Sequence, residues 1–433
     1  STASLSLGYE QWAVDASHRG QNKSFNTSDF SLPNVGFIGA NPKGLQESGA
    51  FKGGAWGFSA QRIANFSTEF GYYSDILGES SIIDFYLDDA FGIAESQIEN
   101  RGLTGLAYQT YQINPITVDA DGKPIANPRA YDSFVLGFPF QDENVRQEGS
   151  ASQINLGYGA NFYHKLFVGA SLGIRSLDFS SAKEYNEEFA NQPLINSSLR
   201  ESLFINGTGV NLNLGLIYKP IDYINLGLVL QTPTWFALNE EYEASMTASY
   251  DNYFFEEENI TLGTETAISD IIISNYGLQT PLKVGAGATF FFGKYGFVSA
   301  DMDWVDYSTA RINSRDFNVG PDNQVIQDLY TSTFNYRFGA EGKLEKWRVR
   351  AGYSYQGDPF LTSSGIDQST QQLSGGVGMQ FRSIHVDLAI VNQNFNTLYR
   401  SYQVIDNNGF NYGPLTEVKN SITSGILTVG FNF

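Results

Sequence analysis

Ser421–Phe433 reads SITSGILTVGFNF, and its alternation decides the fold. Thr423, Gly425, Leu427, Val429, Phe431 and Phe433 fall on one side of an extended chain. Ile422, Ser424, Ile426, Thr428, Gly430 and Asn432 fall on the other. Period two marks a strand with one apolar face and one small or polar face. The strand runs to an aromatic residue, where the bare edge of a soluble sheet would invite aggregation. A closed barrel removes that edge by pairing its last strand with its first.

Composition agrees. The 433 residues carry 17% charged and 15% aromatic residues, with 25 Tyr, 33 Phe and 44 Gly. Ordinary soluble domains hold about 25% charged residues. Mean hydropathy is only -0.23, and no run approaches the ~20 apolar residues of a spanning helix. A transmembrane barrel hides its hydrophobicity in this way, by alternation. The absence of cysteine removes disulfides and thiolate chemistry. A net charge of -20 argues against nucleic acid as a partner.

Working outward from the closing strand, fourteen alternating segments can be drawn. The first three lie near Ala3–Val14, Ser31–Ala40 and Gly54–Phe70. A long segment at about 71–147 follows, with helix-like spacing of Ile82, Phe85, Tyr86 and Ile93, which predicts a short helix over one barrel end. Regular strands then carry Ile154–Phe162, Val168–Ile174, Val210–Tyr218, Ile224–Leu230, Leu282–Phe290, Val298–Trp304, Phe334–Ala340, Trp347–Tyr355, Val377–Phe381 and Val386–Ile390. Connections alternate between a few residues and roughly 15 to 80, against a hairpin norm of 2–5. The prediction is an all-β chain: one 14-stranded antiparallel transmembrane β-barrel over residues 1–433, with long extracellular loops. It would sit in the bacterial outer membrane with both termini periplasmic. Its polar face is Gly, Asn and Ser rather than Lys and Glu, which disfavours a soluble sandwich.

Three features of the lumen face could carry function. Asp301, Asp303, Arg337, Glu341, Arg348 and Arg350 share it on three successive strands, as a solute-selecting belt or as ion pairs bracing the wall. Phe167, Leu177, Ile217, Val229 and Phe291 are apolar there, either lining a pocket for a hydrophobic ligand or filling a narrow barrel. In the third strand the lipid-facing phase of Trp56, Phe58 and Ala60 reaches Arg62, so a bulge near Gln61–Ile63 is expected. Pro233 and Pro281 fall on adjacent strands and cannot donate to the ladder. His18, His164 and His385 have no clustered catalytic or metal-binding partners, so the chain reads as a non-enzyme without metal or cofactor.

The phrases LIYKPIDYINLGLVLQTPTWF (Leu216–Phe236), YGLQTPLKVGAGATFFFGKYGFVSADMDWVDYS (Tyr276–Ser308) and WRVRAGYSYQGDPF (Trp347–Phe360) resemble FadL-type outer-membrane transporters, most of all the branch found in Bacteroidota. The resemblance implies a monomeric channel for passive uptake of long-chain fatty acids or other hydrophobic molecules. It also implies capture among extracellular loops, an apolar lumen pocket and release through a gap at a kink in the third strand. That gap maps here to Arg62, Ile63, Asn65 and Phe66. The family carries an N-terminal hatch with an Asn-Pro-Ala element. This chain starts almost directly in its first strand, and Asn41-Pro42-Lys43 follows the second, so the hatch is expected to be missing from it. Membrane lipids, lipopolysaccharide and hydrophobic small molecules are the expected partners. The alternative is a non-transporting accessory barrel in a complex with other outer-membrane proteins.

Overall fold

The computed structural model describes residues 1–43, 49–135, 137–190, 193–361, 365–406 and 408–433. Fourteen antiparallel wall strands follow one another. They are β1 (Thr2–His18), β2 (Gln21–Pro42), β3 (Phe51–Asn65, resuming at Thr68–Tyr73), β4 (Phe140–Phe162), β5 (Leu166–Glu188), β6 (Leu194–Ile221) and β7 (Ile224–Gln231, resuming at Trp235–Phe255). The circuit continues through β8 (Ile272–Gln279, resuming at Lys283–Phe291), β9 (Gly296–Asp306), β10 (Ser332–Leu344), β11 (Trp347–Gln356), β12 (Thr370–Gln380), β13 (Ile384–Arg400) and β14 (Leu415–Asn432). The closing strand pairs with the first from Thr2↔Asn432 to Ser17↔Glu417, so the barrel is closed. The Ser1 ammonium donates to the Phe433 carbonyl at 3.0 Å, so both described chain ends lie at the short-turn end. The β2–β3 connection lies largely outside the described residues.

Alternation sets which face meets lipid. Leu156, Tyr158, Leu172, Leu228, Leu388 and Phe431 are exposed on the outer surface, while Asn155, Gly157, Gly173 and Gly227 take the intervening lumen positions. No helix among the described residues is long and apolar enough to cross a membrane. Pro233 and Pro281 interrupt β7 and β8 side by side. Register holds across the break, with Gln231↔Lys283 before it and Trp235↔Gln279 after it.

The strands outrun the membrane. About 9–11 residues suffice to cross it, yet β5 has 23 and β6 has 28. The expected long loop after the fifth strand is therefore mostly sheet, closing in the short stretch between Glu188 and Leu194. Beyond the bilayer no lipid enforces an apolar face, so the alternation there is too weak to read. The projecting parts of β5–β7 and the hairpin strand Ile260–Ile268 instead form one wall of a cap.

Three helices complete the cap where one was expected: α1 (Ile82–Ala90), α2 (Glu95–Ile98) and α3 (Gly102–Gln109). Ile82, Ile83, Tyr86, Ile98 and Leu106 are buried against Tyr185, Leu194, Leu199, Met246, Tyr250 and Leu262. This is the largest apolar core of the described residues, and it lies at the long-loop end rather than in the barrel. Docking is fixed by Glu187, fully buried at the start of α1. Its carboxylate accepts from Ser81 Oγ at 2.5 Å, the Ile82 amide at 2.9 Å, Tyr185 Oη at 2.6 Å and Gln141 Nε2 at 3.1 Å. A carboxylate at a helix N-terminus satisfies otherwise orphaned amides and complements the helix dipole. Glu187 lies twenty-one residues beyond the start of β5 at Leu166, well outside the bilayer. Burial pushes its carboxyl above the usual range, against the pull of these donors.

Candidate functional site: the lumen cavity and the lapse in the wall

Inward positions of successive strands β4 to β8 are repeatedly glycine: Gly159, Gly169, Gly215, Gly227 and Gly287. A Cβ built on Gly159 or Gly215 would meet nothing within 4 Å. The missing side chains carve a cavity of about 630 Å³ against the wall, within the range of small-molecule sites. Phe167, Ile217 and Val229 supply its apolar side chains. Register places them together, with Phe167↔Ile217 across β5 and β6, and Val229 between Gly215 and Gly285. Leu177, farther up β5, and Phe291, whose ring packs on Phe297 at 5.7 Å, do not line it.

The charged residues form two clusters beside this space. Asp303, only 2% exposed, receives Lys283 Nζ at 2.9 Å and Arg337 Nη2 at 2.7 Å. Asp301, Asp303 and Arg337 also line the cavity. Higher in strand order, Arg350 pairs with Glu341 at 2.8 Å and with Asp387. Arg348 turns away and donates to the carbonyls of Glu345 and Trp347, both at 3.0 Å. Lys283 and Asp387 complete the clusters from outside the three strands where the sequence showed charge. Their signal was an isolated charge at an inward position, on the adjacent β8 for Lys283 and across β12 on β13 for Asp387. Among the described residues there is no group of three His, Cys, Asp or Glu that could hold a metal ion.

The third element is a lapse in the wall. β2 and β3 pair only from Asn34↔Gln61 to Pro42↔Gly53. Farther out, β3 pairs with β4 alone, and its register slips between Arg62 and Ala64. A bulge thus falls at Ile63, within the expected stretch Gln61–Ile63. Phe66 donates its amide to the Gly149 carbonyl at 3.0 Å and packs edge-on against Phe179 at 5.6 Å.

Beyond the bulge, β3 runs inside the barrel. Tyr72 stacks on His18 at 4.0 Å, and Phe70 packs with Val14 and Val418, all inward residues of β1 and β14. Polar contacts bridge the unpaired stretch: Arg62 Nη1 to Asp29 Oδ2 at 2.7 Å, and Asn65 Nδ2 to Glu10 Oε2 at 2.7 Å. The hairpin of β1 and β2 therefore overlaps β3 as an outer layer. Glu10 and Asp29 gave no sequence signal, because each is the single acid on the inward row of its strand.

No protein-family model matches the chain, and no curated protein does. Solved structures do. A FadL homologue of Pseudomonas aeruginosa is 12% identical, the match covering 100% of this chain and 90% of that one at a TM-score of 0.54. The Pseudomonas putida toluene transporter TodX is 14% identical over 100% of this chain and 89% of its own, at 0.49. The CymD monoaromatic hydrocarbon channel is 13% identical over 100% and 88%, at 0.45. At such identities the likeness is one of fold, and the fold of this chain is that of the FadL homologue, a closed 14-stranded barrel of the outer-membrane type.

Proposed function

We propose that the chain is an outer-membrane channel through which hydrophobic molecules, long-chain fatty acids among them, pass without energy input. The observation that carries this reading is the glycine-carved cavity with Phe167, Ile217 and Val229 inside a membrane wall. A water-filled pore for sugars or ions has no use for such a lining. A hydrophobic ligand gains about 25 cal/mol per Å² buried there. The lapse between β2 and β3 supports a sideways exit, since no backbone hydrogen bonds need break along Gln21–Pro33 for the seam to part. Arg62, Ile63, Asn65 and Phe66 would border that exit, and the ion-pair clusters around Asp303 and Glu341 would brace the wall. In this reading the cap faces outward and the short turns face the periplasm.

The test is equilibrium binding of a fluorescent long-chain fatty acid to the purified protein in detergent, with displacement by palmitate or toluene. Saturable binding that Ile217→Asp weakens supports the channel. Absence of saturable binding, together with stoichiometric co-purification of other proteins in mild detergent, would replace it with the accessory-barrel reading.

A further inference from the structure

The lipid-facing side of the wall carries a second concavity, of about 820 Å³, spanning β7 to β12. Its floor is small: Ala288 faces Ala300 across β8 and β9, and Ala340 faces Ala351 across β10 and β11. Phe338 and Tyr353 stand beside them as walls. Ala300 lies four residues from the start of β9 at Gly296, and Ala351 four from the start of β11 at Trp347. At ~3.3 Å per residue the floor is ~13 Å from the strand ends, a depth reached by acyl chains in one leaflet.

Directly below the groove, the three short turns each present an exposed cation: Lys294, Lys346 and Arg382. None of the three makes an ion pair among the described residues, and Lys294 rests over the Tyr295 ring at 5.6 Å. The turns are two strands apart in succession, so neighbouring cations sit on a spacing of ~10 Å. Glu345 is the only acid in these turns, in a chain whose net charge is -20. Exposed Trp347, Phe381 and Tyr295 mark the same level as an interface with headgroups.

We propose that this groove and the cations beneath it form a binding site for an anionic phospholipid of the leaflet at the short-turn end. One acyl chain lies on the alanine floor, and the phosphate sits among Lys294, Lys346 and Arg382. A zwitterionic lipid would bring a second positive group to a rim that offers it only Glu345. The site is independent of the lumen cavity and of what passes through it.

The test is native mass spectrometry of the protein released from nanodiscs of equimolar phosphatidylglycerol and phosphatidylcholine. Each cation near an anionic headgroup favours it by roughly fivefold, so retained phosphatidylglycerol is expected to exceed phosphatidylcholine by about fivefold or more. The triple variant K294Q/K346Q/R382Q should lose that preference while still carrying lipid, and Ala340→Leu, which fills the floor, should lose the retained lipid itself. Both substitutions lie on outer surfaces, and heat-modifiable gel mobility reports that the barrel is folded. Equal retention of the two lipids by the wild type, an unchanged preference in the triple variant, or full retention in Ala340→Leu would each overturn the proposal.

Discussion

Arg62 Nη1 lies 2.7 Å from Asp29 Oδ2, joining β3 to β2 where the two strands share no backbone ladder. Asp29 belongs to the inward row of β2, so the contact places β3 on the lumen side of its neighbour. Asn65 repeats the arrangement with Glu10 on β1. Two polar side chains thus hold a seam that hydrogen-bonded strands hold elsewhere.

Removing this clasp should loosen the seam without opening the barrel. Arg62→Ala leaves the partly buried Asp29 without its cation and with only the long contact to Asn65 Nδ2 at 3.4 Å, at a local cost of about 1–2 kcal/mol. Amide exchange along Gln21–Pro33 should quicken by roughly tenfold, while β9–β12 stay protected. Hydrogen-exchange mass spectrometry reads both regions at once, and unchanged exchange in β2 would show that the contact does not hold the seam.

The lumen cavity can be filled or repelled. Gly215 faces open space, so Gly215→Ile should fold normally and occupy ligand volume. Ile217→Asp replaces an apolar contact worth about 1.5 kcal/mol or more, so fatty-acid affinity should fall by about tenfold. Fluorescence titration of both variants checks this. Full affinity in both would place the ligand elsewhere.

Glu187 holds the cap. Glu187→Ala strands three buried donors, Ser81 Oγ, Tyr185 Oη and the Ile82 amide at the start of α1, at a cost of about 3 kcal/mol or more, while Gln141 keeps the Ser80 carbonyl and Tyr402. The cap should become protease-sensitive within residues 74–135, while the barrel keeps its folded gel mobility. Glu187→Gln retains an acceptor for Ile82 and should lie between the two.

His18 makes the junction beneath the cap sensitive to acid. It lies at the outer end of β1, beyond the bilayer, with Nδ1 3.1 Å from both the Leu415 carbonyl and Thr416 Oγ1. Burial, reinforced by the nearby Arg19 charge, lowers its pKa from 6.5 to about 4 despite the Leu415 hydrogen bond. Between those values the unfolded chain binds the extra proton and the native site does not. Stability is therefore fully present above pH 6.5, falls as pH drops towards about 4, and levels off below it. Exchange at Thr68–Tyr73, where Tyr72 stacks on His18, should rise through that window. In His18→Phe the rise should vanish.

Strand faces were legible because alternation is a local property. Leu427 beside Thr428 needs no distant partner to show which face meets lipid. The Arg62 bulge was legible for the same reason, since a guanidinium cannot continue a lipid-facing row of Trp56, Phe58 and Ala60. The partners of Arg350 and Asp303 were only half legible, because Asp387 and Lys283 come from strands where a single charge carries no pattern. The cap escaped further. Its helices were read as one, and the outer reaches of β5 and β6 as loop, because their burial depends on Glu187, Tyr185 and Leu199 meeting α1 and α3 across long separations in the chain.

The amino-acid sequence by itself determined a closed fourteen-stranded barrel, its apolar outer band and the position of its short turns. Each of these follows from period-two alternation under the demand that a membrane leave no backbone group unpaired. Only the tertiary structure decided where that pairing lapses, which glycines stack into a cavity, and how the cap seats on Glu187. Those depend on cross-strand register and on burial between distant segments, which no local pattern records.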